Sequence, residues 1–433
     1  MLVYKFGGAS VKDASSIRSL LPLIEKQKSE KLLVVISAMG KMTNAFEHLL
    51  TLYREDNPMK LNQLNKIKTY HLSIISDLFE INHPVFQLVN NCFLQLEEKL
   101  AEASKQSYDY SYDQTVVFGE LLSTRIVSEF FNQNKVDNIL LDASDLLITN
   151  AKYRDARLDW EKTKEKISVK LTPQFEKASI VITQGFIGGT EAGRRTTLSR
   201  EGSDYSAAIF AHFLDAEKLV VWKDVPGILN GDPKYFSKAR SLKHISYHET
   251  VELAFYGASV IHPRTLQPLK AKQIPLFVRS FKNPDSETVI NSNNTDDGDI
   301  PSFIIKENQI LFSIASRDFS FIDAEKLTEI LKLFSSNHFY IRLLQNSALN
   351  FSIVADENTL QLDELLKQLQ KEYSVKYNRN LSLLTVRHWN DDRLNNLFTD
   401  IELLLEMHNR LTDQFVMKAQ DLSRKLEGLL FIV

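Results

Sequence analysis

Three short stretches carry the residue types that a phosphate-handling site needs. YKFGGAS, Tyr4–Ser10, closes an apolar run with a lysine and two glycines. Glycines let backbone N–H groups approach an anion closely, and a helix starting after Ser10 would add a favourable N-terminus. Lys5 supplies a cation at the carboxyl end of a strand, where open α/β sheets bind ligands. SAMGKMT, Ser37–Thr43, repeats the arrangement after the apolar run KLLVVI, with hydroxyls at Ser37 and Thr43. TQGFIGGTEAG follows SIVI and leads into TTLSREGSDYSAA, Thr196–Ala208. None of the three has the G-x-x-x-x-G-K-[ST] spacing of a P-loop. Each alone fits an ordinary strand–turn–helix; three at strand ends point to phosphate or nucleotide binding.

Other chemistry-bearing residues are ambiguous by themselves. FGELLSTR puts Glu120 near the start of a helix, where a carboxylate is favoured by the macrodipole whatever its function. VWKDVPGILNGDPK ends a strand in Lys223–Asp224 before a Pro-Gly turn, and Asp224 either orients a ribose or caps that turn. Cys92, the single cysteine, lies in the amphipathic pattern NNCFLQLEEKL and reads as a packing residue.

The elements that must position these residues alternate. LVYKF, KLLVVIS, NILLDA, SIVITQGFIG and KLVVWKD read as buried strands separated by helical or polar segments such as DASSIRSLLPLIEKQKSE. That alternation predicts an α/β unit with a mostly parallel sheet sandwiched by helices over residues 1–295. Residues 43–133 have long helical patterns and no strand, and read as a helical lobe or insertion. NSNNTDDGDIPS, residues 291–302, is linker-like. Beyond it, ILFSIAS, a helix at DAEKLTEILKLFSS, strands FYIRLL and ALNFSIV, and a helix at LQLDELLKQLQKEY make one α+β unit. A weaker echo follows, with a strand in LSLLTVRHW, a helix in DIELLLEMHN and strands in QFVMK and GLLFIV. Residues 296–433 are thus expected to hold two small α+β modules in tandem.

Bulk properties narrow the function classes. With 433 residues the chain exceeds one ordinary core, and its 43% hydrophobic and 25% charged content is that of a globular protein. A formal net charge of −3 gives no broad footprint for nucleic acid or an anionic membrane, so neither is expected as a partner. One cysteine excludes an internal disulfide framework and fits a reducing compartment. No signal-peptide pattern and no membrane-length apolar run is read, so a cytoplasmic location is expected.

Seven motifs in order resemble those of the aspartokinases within the amino-acid kinase family. They are KFGGAS, SAMGKMT, FGELLS, GFIGGTEAGRRTTLSREGSDYSAA, WKDVPGILNGDPK, ETVELAFYGASVIHPRTLQP and IPLFVRSF. The resemblance covers roughly residues 1–290. It implies a kinase that transfers the γ-phosphoryl group of ATP to the side-chain carboxylate of L-aspartate, giving 4-phospho-L-aspartate, the first step toward lysine, threonine and methionine. It implies Mg2+ held mainly through the nucleotide phosphates, with no dedicated protein metal site. Lys5 and the backbone around Gly7, Gly8 and Ser10 would hold the phosphoryl charge, and Asp204 would orient Lys5. Arg200 would clamp a substrate carboxylate and Glu120 would accept from the α-ammonium. Ser37, Thr43, Phe186 and Ser203 would complete the substrate pocket, with Lys223, Asp224 and Lys234 on the nucleotide side.

The sequence also departs from the family pattern. The loop T-T-L-G-R-G-G-S-D has Ser199 and Glu201 in place of its first two glycines. A carboxylate about 4 Å from a phosphate would cost several kcal/mol at a surface-like dielectric, so Glu201 is expected to face solvent or the Arg194–Arg195 pair. If the family glycine is needed for φ > 0, Glu201 carries strain. On the nucleotide side, Lys223, Leu229, Lys234 and Ser259 replace the usual threonine, aromatic, arginine and lysine. The region after residue 300 resembles paired ACT domains, which bind amino-acid effectors and join subunits. Its effector loop appears as ASRDFSFID, and the final helix is expected to be missing. Weak or absent lysine feedback follows, with the ACT pair kept for a homodimer. Two alternatives stand beside an active aspartate kinase: a kinase for another amino acid, and a catalytically weakened paralogue that senses amino acids.

Overall fold

A computed structural model describes residues 1–199, 201–258, 261–318, 320–389 and 397–430, and the side chains of these as far as residue 426. The chain divides into two compact units. The first gathers the described residues of 1–228, 241–251 and 260–296, the second those of 229–240, 252–259 and 297–433.

The first unit is built on an eight-stranded sheet. In chain order its strands are β1 Leu2–Phe6, β2 Leu32–Ile36, β3 Asn138–Leu141 and β4 Ile180–Gln184, then, after the short pair β5 Ile187–Gly189 and β6 Arg195–Thr197, β7 Lys218–Lys223, β8 His244–Ser246, β9 Leu276–Ser280 and β10 Glu287–Asn291. The spatial order is β3-β4-β2-β1-β7-β9-β10-β8, parallel from β3 through β9. β10 runs antiparallel to β9. LVYKF and LLVVI are buried along their whole length, which is why they read as continuous apolar runs rather than alternating ones.

Helices cover this sheet. α1 Ala14–Glu25 is followed by a helical stretch comprising α2 Met42–Arg54, α3 Lys60–Leu78, α4 Val85–Glu102, α5 Tyr108–Val116 and α6 Phe118–Gln133. Cys92 is buried on α4, and burial pushes its thiol up, away from nucleophilic use. His71 on α3 is fully buried, and desolvation lowers it to about 4, so it is a neutral core residue. α7 Trp160–Lys166, α8 Gly202–Phe213, α9 Tyr247–Tyr256 and α10 Pro263–Ala271 complete the helices of residues 1–296.

The second unit carries a six-stranded antiparallel sheet. Its elements are β11 Ser302–Ser316, α11 Ala324–Ser336, β12 Ile341–Asn346, β13 Asn350–Asp356, α12 Leu362–Leu369, β14 Tyr373–Arg387, β15 Leu405–His408, β16 Thr412–Lys418 and α13 Ala419–Leu430. The order is β12-β13-β11-β14-β16-β15. β11 and β14 are 15 residues each and pair along most of their length, with the register shifting between Lys306 and Leu311. Asn308 and Asn380 lie near that shift with φ of +55°, a conformation asparagine tolerates better than most residues. One half of the ladder covers a core of Phe312, Phe334 and Phe339, the other a core of Phe303, Phe398 and Phe415.

The helix expected after Ser10 begins at Ala14, capped by Asp13, whose carboxylate accepts the Ser16 N–H at 2.7 Å, and residues 8–11 form a 3-10 turn before it. Three local expectations change. SIVITQGFIG is two strands, because Phe186 takes φ +68° between them. DIELLLEMHN contains strand β15, with Leu405 and Met407 on the apolar side of an alternation that outweighs its helix-forming residues. GLLFIV is helical through Leu430, because Leu422 and Leu426, four apart, turn one helix face onto the Phe398–Phe415 core. Ser259, Phe319 of the effector loop and residues 431–433 lie outside the described residues.

Candidate active site

The parallel register aligns the strand ends. Phe6 stands beside Ile36 and Trp222, and Ile36 beside Gln184. The loops leaving these strands therefore open on one sheet edge, around a cavity of about 800 Å³. Lys5, Gly7, Gly8 and Ser10 line it from the first loop, and Ser37 and Thr43 from the second. Glu120, Phe186, Ser203 and Asp204 line it further round, and Lys223 and Asp224 stand at the end of β7. Arg200 lies outside the described residues. Lys234 belongs to the second unit, where its ammonium donates to Tyr235 Oη at 2.9 Å and pairs with Glu307 at 3.3 Å.

Lys5 and Asp204 form the centre of charge. Nζ stands 2.6 Å from Oδ1, with both side chains nine-tenths buried or more. The contact is a buried ion pair. Burial would raise the Asp204 carboxyl, but Lys5 and Lys223 outweigh it and hold it below its ordinary value. Asp204 is thus held as an anion beside Lys5, placed in the first turn of α8 where the macrodipole favours it.

Glu120 is the opposite case. It is 2% exposed, in the first turn of α6, and Oε1 accepts the Ala38 N–H at 3.2 Å. Oε2 is buried with no partner among the described residues. Desolvation raises this carboxyl to about 8, against the lowering influence of the Ala38 N–H and Lys5. A buried carboxylate oxygen without a donor, on a cavity wall, is a place for a cationic group to bind.

The wall between β4 and α8 is strained. Phe186, Ser199 and Glu201 have φ of +68°, +62° and +56°. Non-glycine residues there cost on the order of 1–3 kcal/mol each. Both positions at which a glycine of the family pattern is replaced are thus left-handed here. Ser199 has a compensating contact, because Arg264 Nη1 donates to its Oγ at 2.9 Å. Glu201 has none among the described residues: it is exposed at the cavity. The Arg194–Arg195 pair does not take it, since Arg195 bonds Asp142 at 2.5 Å and Arg194 stacks over Tyr110. Gly185 makes the wall close, since a Cβ there would fall 2.6 Å from Ser203 Cβ.

The two costs of Glu201 separate by mutation. Glu201→Gln removes the charge and keeps the backbone; it is expected to lower the KM for an anionic nucleotide severalfold, on the order of 3–10-fold. Glu201→Gly removes charge and strain together, and any further gain in urea-unfolding midpoint measures the strain. An unchanged nucleotide KM in both variants refutes a charge effect on the cavity.

Several cavity residues escaped the sequence reading. Arg154, Glu47 and Tyr112 line it. The Arg154 guanidinium lies 4.5 Å from the Tyr112 ring centroid and 3.5 Å from Glu47. Trp222 also lines it, stacked on Phe6, with a buried Nε1 that has no partner among the described residues. Asp113, behind the wall, is fully buried, and burial pushes it up to about 7 against the lowering hydrogen bonds of three donors, the Thr197 hydroxyl and the Arg154 and Thr197 N–H groups. Lone polar residues on helices or in a polar turn give no spacing signal; only the fold brings them here.

The donor set suits a phosphorylated nucleotide. A Cβ at Gly7 would stand 3.4 Å from Lys5 Nζ, so the glycine leaves the ammonium open to an anion. No group of three or more His, Cys, Asp or Glu side chains able to hold a metal occurs among the described residues. No helix among them is long and apolar enough to cross a membrane.

Comparison with known proteins adds the following. The model of the amino acid kinase family matches residues 1–280. Lysine-sensitive aspartokinase 3 of Escherichia coli (strain K12) is 29% identical over 398 residues, spanning 89% of this chain and 86% of the relative. The crystal structure of E. coli aspartokinase III in complex with lysine and aspartate (T-state) matches at a TM-score of 0.83 and 26% identity, over 100% of this chain and 99% of that one. The same enzyme in complex with aspartate and ADP (R-state) matches at 0.80 and 26% identity, over 100% of both chains.

Proposed function

The chain belongs to the amino acid kinase family, and from that premise we propose that it is an aspartate kinase. Its reaction transfers the γ-phosphoryl group of ATP to the side-chain carboxylate of L-aspartate. The bond between the γ-phosphorus and the β–γ bridging oxygen breaks, a bond to the carboxylate oxygen forms, and ADP leaves with the bridging oxygen. The observation that carries this reading is the buried Oε2 of Glu120, unpartnered among the described residues, in the same cavity as the Lys5–Asp204 pair. One end of the cavity offers an acceptor for an α-ammonium, the other a cation for a phosphoryl group.

The residues then divide the work. The substrate carboxylate is already ionised at neutral pH, so no general base is needed. Catalysis consists of positioning and of charge stabilisation. Lys5 neutralises charge on the transferring group, and Asp204 keeps Lys5 in place. Glu120 holds the α-ammonium, with Ser37, Thr43, Phe186 and Ser203 around the substrate. Arg200 is assigned a substrate carboxylate, a geometry suited to a guanidinium. Lys223 and Asp224 are assigned to the nucleotide side. Mg2+ bound to the nucleotide phosphates would lower their charge, and Asp204 and Asp224 on the cavity wall would be the carboxylates to face it. The second unit, resembling an ACT pair, is assigned to a homodimer contact with weak or absent response to lysine.

Hydroxylamine trapping tests the reading. With Mg·ATP and aspartate the chain is expected to form aspartyl hydroxamate, and with glutamate far less. A second reading, a weakened paralogue, rests on Glu201 standing in the cavity at φ +56°. Hydroxamate from Glu201→Gly but none from the wild type would establish that second reading.

A further inference from the structure

Asp113 has no contact with the cavity, yet it touches two of the segments that do. It lies on α5, seven residues before Glu120, and is 0% exposed. Oδ1 accepts the Arg154 N–H at 3.1 Å and the Thr197 hydroxyl at 2.7 Å. Oδ2 accepts the same Arg154 N–H at 3.1 Å and the Thr197 N–H at 3.0 Å. Arg154 holds φ +66°, and its guanidinium stands over Tyr112 at the cavity. Thr197 ends β6, and the chain runs from it through Leu198 and Ser199 into Glu201, Gly202, Ser203 and Asp204. The adjoining Leu198 N–H donates to Phe186 O at 2.9 Å, so the same strand end also fixes Phe186.

We propose that Asp113 is a positioning residue for substrate, tying the Arg154 turn and the strand that delivers the Ser199–Asp204 loop to the helical segment carrying Glu120. The inference rests on the reading of the chain as an aspartate kinase. Three parts of one pocket arrive from distant points in the sequence, and a single buried carboxylate accepts from two of them while riding with the third. A buried carboxylate satisfied only for folding would hold any convenient donors. This one holds the backbone of a left-handed residue and both donors of the residue leading into the substrate loop. Loosening it is expected to misplace the aspartate pocket, which draws on all three segments, before it disturbs the nucleotide end, which draws on one of them together with the loops after β1 and β7.

Thr197→Val is the primary test, because it deletes only the hydroxyl bond to Oδ1 at nearly constant volume. It is expected to raise the aspartate KM about tenfold or more while the ATP KM stays within about twofold. Thr197→Ser, which keeps the hydroxyl, is expected to return the aspartate KM toward that of the wild type. Asp113→Asn, which places an amide donor against N–H donors, should show a larger effect of the same kind if it folds. A lowered melting temperature with the aspartate KM unchanged in Thr197→Val assigns Asp113 to folding alone and overturns the inference. Equal rises in both KM values overturn it too. A wild-type chain that neither binds nor phosphorylates aspartate removes the functional reading instead, and with it the inference.

Discussion

Lys5→Met is expected to lower kcat by about 10²–10³, the usual loss when one preorganised charge-stabilising donor is removed. The expectation follows from the 2.6 Å pair with Asp204 and from the burial of both side chains. The same substitution leaves Asp204 as an uncompensated buried carboxylate, which typically costs about 3–5 kcal/mol of stability. Activity and stability are therefore measured together, by hydroxamate formation and by urea unfolding. Adding Asp204→Asn is expected to restore most of the lost stability and none of the lost kcat. The pair's contribution has a pH window set by Asp204, whose carboxyl is held below its ordinary value. It is complete above the ordinary carboxylate range and fades only as acid passes below it. A Lys5→Met enzyme that keeps kcat within about threefold of wild type would remove Lys5 from the transition state.

Glu120→Gln should act on binding rather than on turnover. Losing the charge that meets the substrate ammonium is expected to raise the aspartate KM by roughly 30-fold or more, the equivalent of about 2 kcal/mol, with the ATP KM little changed. The pH dependence sharpens this. In the free protein burial raises Glu120 from 4.5 to about 8, so near neutrality the carboxyl keeps its proton. Binding an ammonium requires the ionised form, so aspartate must expel that proton. Below about pH 8 the wild-type affinity should weaken by up to tenfold per pH unit, and the Gln variant should show no such slope. Titration calorimetry in two buffers of different ionisation enthalpy reads the released proton directly. Zero release at pH 7 would mean that Glu120 is already ionised before substrate arrives. The stability sign is the reverse of that for Asp204. The folded chain holds a proton that the unfolded chain gives up between pH 4.5 and about 8, so stability falls across that interval.

Much of this was legible in the residues themselves. The parallel strands were readable because burial on both faces makes LVYKF and LLVVI continuous apolar runs. The loops at their ends were readable because glycine, lysine and hydroxyls cluster there. What could not be read depends on distant contacts. SIVITQGFIG looks like one strand; it breaks at Phe186, whose backbone meets Leu198 and Ser206 from across the wall. DIELLLEMHN carries helix formers and a two-residue alternation at once, and pairing with β16 decides for the strand. Asp113 and Arg154 carry no local pattern, since their meaning lies in a bond between α5 and a turn 41 residues away. Glu201 stands out in the sequence as a departure, but its direction depends on Arg195 being already engaged with Asp142.

The continuous β11–β14 ladder has a consequence for how the second unit can come apart. The sequence suggests two repeats in tandem, which would be two modules separable by a cut between them. Instead each of two 15-residue strands serves both cores, kinked near Asn308 and Asn380 but hydrogen-bonded on either side of the kink. Neither core can melt without stripping partners from strands that the other core needs. The two repeats are therefore one unit of cooperativity, gained and lost in a single step, and a truncation meant to keep only the first would leave half of each long strand with bare edges.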